Sequence, residues 1–310
     1  MKNNRSCPVL LKYLPHGLGS DIFYPVSNKD EEYLNFKKEL FRGRDYEFVL
    51  LFNSRNIRRK SIPDTILAWK LFMDKLTEKE ARKCMLLLHT QASDPNGTDL
   101  VAVKDFFCPG EKYNVNIFPQ SLSEKHMNYL YNVADGVVLI SSAEGWGLAL
   151  TEGLLTGTPF IANVTGGMQD HMRFVDENGE WMDFNTEFPS NHNGTYKEHG
   201  EWAFPVYPNN LSVVGSPLTP YIYDDRCDPK EVATQMYNLW EVGGKERKRR
   251  GEAGRQWALS DEAGFTSQQM TDKVVDAIDE LFDTWVPREN MSLFKDDDYK
   301  PRELNHPINY

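Results

Sequence analysis

Residues 141–168, SSAEGWGLALTEGLLTGTPFIANVTGGM, decide how the whole chain is read. The apolar run Val137, Val138, Leu139 and Ile140 enters this stretch as a strand, Gly145 and Gly147 break it into a turn, and a short helix follows. Gly157, Thr158 and Pro159 close that helix before a second apolar strand at Phe160, Ile161 and Ala162. In a parallel α/β sheet such a strand-to-helix turn lies at the carboxyl ends of the strands, where ligands bind. The glycines allow close backbone approach, and the unpaired N–H groups of the new helix favour an anion. Glu144 and Glu152 bracket the turn. A carboxylate repels phosphate but accepts strongly from hydroxyl groups, so a ligand suited to both features carries a diphosphate and many hydroxyls.

Upstream, residues 46–52, 84–89 and 114–118 read as strands, and apolar residues recur at helical spacing after each of them. Asp99 is placed to cap one of these helices and the pattern Ser121–Leu122–Ser123–Glu124 to box another. The succession predicts an α/β fold, a doubly wound, Rossmann-like parallel sheet with right-handed crossovers. No Gly-x-Gly-x-x-Gly opens the first unit, which argues against a dinucleotide enzyme such as a dehydrogenase or a sugar-nucleotide epimerase. Behind the first strand stand four cations in six positions, Arg55, Arg58, Arg59 and Lys60. They suit a diphosphate, although a solvated basic loop has the same composition.

Downstream, residues 171–220 mix Asn, Pro and Gly with many aromatics and read as an irregular insertion, too aromatic for disorder and longer than ordinary loops. Such an excursion suits a cover over the acceptor side of a cleft, a docking surface for a partner, or a structured surface loop. Asp228 is positioned as a helix cap, KERKRR at 245–250 reads as a solvated helix face, and residues 265–285 form an amphipathic helix. The domain is expected over residues 1–285, with a polar tail at 286–310.

The 310 residues, 40% hydrophobic, can bury a large core, and a net charge of −11 disfavours nucleic acid without excluding a local basic groove. No apolar run reaches the length of a membrane span and no signal-peptide core is seen at Met1. Cys7, Cys84, Cys108 and Cys227 have neither metal-type spacing nor framework density, so a reduced, cytoplasmic setting is expected.

Glu144 and Glu152, flanked by Ser141–Ser142 and Thr165–Gly166–Gly167, resemble the donor-site signature of retaining GT-B glycosyltransferases of the glycogen-synthase-like and sucrose-synthase-like group. The resemblance runs over residues 9 to 285 and includes the Pro15–His16–Gly17 turn, the basic loop and the helix opened by Asp228. It implies a C-terminal, donor-binding half whose N-terminal, acceptor-binding half is expected to be absent from this chain and to come from a partner chain. It implies Arg55 and Lys60 on the donor diphosphate, with Ser54 and Ser61 where relatives carry glycine. It places Glu144 and the backbone of Gly145, Trp146, Gly147 and Leu148 on the sugar, Thr151 towards the nucleotide and Glu152 on the ribose. Phe118 and Pro119 would lie against the base, and Thr165, Gly166 and Gly167 would line the donor pocket. Transfer of a hexosyl or pentosyl unit from a nucleotide sugar to an unknown acceptor is thus expected, with no cofactor and no metal, since the cations neutralise the leaving group. A non-catalytic nucleotide-sugar-binding module is the alternative.

Overall fold

The computed structural model describes residues 10–182 and 188–285. The chain divides into a unit at Tyr13–Lys273 and a smaller one made of Met1–Lys12 with Val274–Tyr310. In chain order the larger unit contains α1 (Glu31–Leu40), β1 (Phe48–Asn53), α2 (Ile62–Met73), α3 (Glu78–Ala81), β2 (Cys84–His89), α4 (Leu100–Phe107), β3 (Val115–Ile117) and α5 (Glu124–Asn132). There follow β4 (Gly136–Leu139), α6 (Leu148–Leu155), β5 (Phe160–Asn163), β6 (Ala203–Val206), β7 (Asn210–Ser216), β8 (Thr219–Arg226), α7 (Pro229–Glu241) and α8 (Gly243–Leu259), and the start of α9 (Ser267–Thr284).

The predicted doubly wound sheet is present: six parallel strands in the order β3-β2-β1-β4-β5-β6. Its central strands are apolar on both faces because both are covered, α2 lying between α4 and α7, and α6 between α5 and α8. Phe48, Trp69 and Phe72 form an aromatic cluster beneath the first crossover, each fully buried. The order reverses between β1 and β4, and the crevice at this switch point is where such sheets hold ligands.

Asp99 and Asp228 cap α4 and α7 as expected, each accepting from backbone amides of the first turn. At α5 the cap is Ser123, which accepts from the His126 amide, so the four-residue box read at Ser121 is displaced by two positions. Residues 7–14, CPVLLKYL, are a largely apolar run of the kind that forms a strand. Its first three residues lie outside the described set and residues 10–16 pair with no strand. Tyr13 is tied to Asp170 through its hydroxyl (2.9 Å), and backbone pairing begins at Leu18, whose amide donates to Phe265 O (3.0 Å) and whose carbonyl accepts from Ser267 N (2.9 Å).

Two further expectations need correction. The stretch at 171–220 is not irregular throughout, for it supplies β6, the sixth strand of the sheet, and β7 of an antiparallel hairpin with β8. Pro205 hides β6 from a sequence reading, yet β6 is an edge strand, where a residue without an N–H costs little. Nor is KERKRR wholly solvated. Arg247 is buried against Asp135 (3.3 Å) and donates to the carbonyls of Trp240 (3.0 Å) and Glu47 (3.0 Å), with its guanidinium over the Phe48 ring. In the smaller unit, Lys12 pairs with Glu280 (2.5 Å), while Ile278, Leu281 and Phe282 of the amphipathic helix are exposed.

Candidate functional site

The site grows from the carboxyl ends of β1 and β4. Beyond Asn53 the β1 chain enters a short 3-10 turn, Arg58–Lys60, and β4 runs on through Ser141 and Ser142 to Glu144. The two loops are joined backbone to backbone, Ser142 N donating to Arg59 O at 2.7 Å. The turn ends at Ser61 in the left-handed conformation (φ 51°), which a glycine adopts without strain. Ser61 therefore holds, with some strain, a backbone conformation that glycine takes freely.

This path carries two cations to one carboxylate. Lys60 Nζ pairs with Glu144 Oε1, and Arg59 Nη1 pairs with Glu144 Oε2 at 2.7 Å while also donating to Ala143 O at 2.8 Å. Lys60 and Glu144 are both nearly withdrawn from solvent, at 11% and 7% side-chain exposure. Burial pushes the Glu144 carboxyl up, but the bonds and charge of Lys60, with Arg59, outweigh it and hold the group below the usual carboxylate range. Burial likewise draws the Lys60 ammonium down, and Glu144 only partly opposes this because Arg59 adds repulsion. Of the two groups the carboxylate is the better compensated, since it alone has two partners of opposite charge.

Glu152 sits on α6 facing the same pocket in a different environment. It accepts from Tyr131 Oη and from Asn53 Nδ2 (3.3 Å), and burial pushes its carboxyl up against those bonds. Asn53 in turn donates to Tyr131 Oη (2.8 Å), and His89 spans Asn53 Oδ1 (2.7 Å) and the carbonyl of Gln120 (2.8 Å). A polar relay thus fixes Glu152 from beneath. His16, Asn53, Lys60, Glu144, Gly147 and Glu152 line a pocket of about 370 Å³ together with Leu148 and Ala149. Gly147 caps α6 at φ 99°, so Leu148 and Ala149, whose first-turn amides precede the helical bonding, lie at the wall of this pocket.

The remaining predicted residues fall in several places. Trp146 also lines the pocket, and its indole donates to Thr151 Oγ1 (2.9 Å), which contacts His171 Nε2 (2.8 Å). Thr151 is consequently sealed under Trp146 and fully buried. His171 is fully buried among Trp146 and Phe265, and burial lowers its pKa to about 3. Gly166 and Gly167 pack on the Glu144–Gly145 backbone so closely that a Cβ at either position overlaps a carbonyl oxygen. Gly145, Thr165 and Gly166 line a second groove of about 770 Å³ on the other side of Glu144, and Phe118 and Pro119 line a third near α1.

Arg55 does not join the cations. It turns outward, 62% exposed, into a two-pronged pair with Asp94 (2.8 and 3.3 Å). The cation that stands beside Lys60 is Arg59. Sequence reading counted Arg59 in the basic cluster without giving it a role, and it passed over Asn53, His89 and Tyr131. The polar Asn53 ending an otherwise apolar strand was the visible signal.

No family model and no curated protein matches the sequence. Solved structures do. Sucrose-phosphate synthase from Thermosynechococcus elongatus is similar with a TM-score of 0.57 at 19% identity, over 88% of this chain and 53% of that one. HepE from Anabaena, solved with UDP-glucose, gives a TM-score of 0.58 at 15% identity, over 87% of this chain and 57% of that one. The C-terminal domain of a group 1 family glycosyl transferase from Francisella tularensis gives 0.52 at 14% identity, over 78% of this chain and 96% of that one. The chain spans about half the length of the two full-length neighbours. Among the described residues no helix is long and apolar enough to cross a membrane. The chain thus has the fold of GT-B glycosyltransferases, and the Francisella tularensis match places the likeness in their C-terminal domain.

Proposed function

We propose that the protein binds a nucleoside-diphosphate sugar between β1 and β4 and transfers its glycosyl group to an acceptor with retention of anomeric configuration. The observation that carries this is the Lys60–Glu144 pair standing at the amino end of α6, in one pocket with Glu152. A diphosphate placed there meets Lys60, Arg59 and the free amides of α6, which are preorganised for charge developing on the leaving group. It competes with Glu144 for the cations, and the carboxylate so released accepts hydroxyls of the sugar. Glu152, whose bonds from Tyr131 and Asn53 both fall on Oε2, takes the ribose hydroxyls on Oε1. HepE, crystallised with UDP-glucose, supports this class of donor, as does the order of the motifs along the chain.

A reducing, cytoplasmic setting belongs to the same proposal. Thermal unfolding with UDP, GDP and ADP, their sugars, and NAD as a control tests it. A ligand at 100 times its Kd stabilises by about 2.7 kcal/mol. Stabilisation by at least one nucleoside diphosphate, and a product whose anomeric NMR coupling matches that of the donor, are expected. Stabilisation by NAD alone would overturn the reading.

A further inference from the structure

The second groove, on the far side of Glu144, has a wall that the donor reading leaves unused. β7 and β8 form a two-stranded hairpin outside the main sheet. In the register of this hairpin Leu211 pairs with Asp225 and Val213 with Tyr223, so these four side chains share one face. That face meets the groove through Leu211, Tyr223 and Asp225. Leu211, Val213 and Tyr223 are 62%, 62% and 61% exposed, an apolar and aromatic surface beside a polar floor. A lone hairpin is marginal in water, yet this one is fastened to the site. Asp225 accepts from Thr165 Oγ1 (2.6 Å) and Asn191 Nδ2 (2.8 Å), its amide donates to Ser142 O (2.9 Å), and its carbonyl accepts from Asn163 (2.8 Å). Asp225 therefore holds the hairpin and the 189–193 loop at a set distance from Glu144.

The charges in the groove select against an anion. Among the described residues that line it Arg59 is the one cation, set against two carboxylates, Glu144 and Asp225. Asn191 and Asn193 on the opposite loop, with the carboxylates, suit hydroxyl donors and acceptors. A ligand with flat apolar faces, a ring of hydroxyls and no charge matches all of these: a neutral saccharide, one ring resting on Tyr223. Glu144 lines both this groove and the smaller pocket, so the occupant of one lies next to the occupant of the other. We propose that the β7–β8 hairpin and the 189–193 loop form a binding groove for a neutral saccharide, which serves as the acceptor where the smaller pocket holds the donor. The acceptor role rests on the proposed function, whereas the saccharide groove stands on its own geometry.

The test is binding of the full chain to an array of neutral, sulfated and phosphorylated oligosaccharides, with and without UDP, alongside Tyr223→Ala and Leu211→Ser, both at exposed positions. Retention of neutral glycans is expected, weakened at least ten-fold in Tyr223→Ala, while the thermal shift with UDP is unchanged by either substitution. Glycan retention equal in Tyr223→Ala, a preference for charged glycans, or no retention by the parent protein would overturn the groove assignment. A parent protein that binds glycans through Tyr223 but shows no shift with any nucleoside diphosphate sinks the donor reading and leaves the groove standing.

Discussion

Replacing Lys60 with methionine separates this site from a merely basic loop. Methionine keeps most of the buried volume and removes one charge, and Glu144 retains Arg59, so the fold is expected to survive. Leaving a buried charge wholly unpaired costs about 3–5 kcal/mol; with one partner kept and the desolvation of Lys60 relieved, a loss of about 1–2 kcal/mol is expected. Ligand binding is hit harder. A charge-assisted hydrogen bond contributes about 1.5–3 kcal/mol, and at 11% side-chain exposure solvent screens it little. Taking about 2 kcal/mol, UDP affinity falls about 30-fold. Arg59→Ala, at 42% exposure, is expected to cost about five-fold, and Arg55→Ala less than two-fold because its guanidinium is spent on Asp94. Calorimetric titration of each variant with UDP and with uridine provides the assay: uridine lacks the diphosphate and should bind Lys60→Met as it binds the parent. Equal losses for uridine and UDP in Lys60→Met, or a loss in Arg55→Ala as large as in Lys60→Met, would refute the reasoning.

Arg247→Met should lower the unfolding free energy in urea by about 2–3 kcal/mol, below the cost of a wholly buried unpaired charge because Asp135 is 25% exposed and keeps the Val49 amide, whereas the exposed Arg249→Ala should leave the midpoint in place. His171, buried and neutral with its pKa near 3, should show no ring titration by NMR between pH 5 and 8. Since its folded pKa lies below the unfolded value of about 6.5, its contribution to stability is complete above that pH and declines by about 1.4 kcal/mol per pH unit below it; His171→Asn should remove that slope from a pH series of urea midpoints. Gly167→Ala forces a Cβ into the Gly145–Trp146 backbone and should cost about 1–3 kcal/mol, while Gly145→Ala, which meets nothing within 4 Å, should fold as the parent does.

The parts of the fold that sequence reveals are those fixed by local physics. Both-face burial makes β1, β2, β4 and β5 nearly continuous apolar runs, and the glycine turn between β4 and α6 marks their carboxyl ends. β6 escapes because an edge strand tolerates Pro205, so the cue that normally rules out a strand misleads here. The pairing of Glu144 with Lys60 follows from order along the chain, but the choice between Arg55 and Arg59 does not. It depends on Ser61 adopting φ 51° and on Asp94, 39 residues away, capturing Arg55. Arg247 had a visible signal of its own. Gly251, Gly254 and Ala258 follow it at helical spacing and are buried on the same stripe, so α8 turns that one cation of the run inward.

The two glutamates sit in opposite surroundings, and the contrast bears on what each is for. Glu144 is held ionised by two cations that a diphosphate would claim, so its hydrogen-bonding capacity is released by the arrival of the ligand it is meant to serve. Glu152 is pushed towards protonation by burial, and only the neutral donors Tyr131 and Asn53 oppose this. Ligand hydroxyls donated to its remaining oxygen act in the same direction as Tyr131 and Asn53 and favour the ionised form. Under the proposed function, a nucleotide sugar would unpair one carboxylate from protein charge and supply the other with further donors. An epimerase or dehydrogenase site has no need of that reciprocity, whereas a site that must hold a leaving diphosphate and a polyhydroxyl ring a few ångströms apart does.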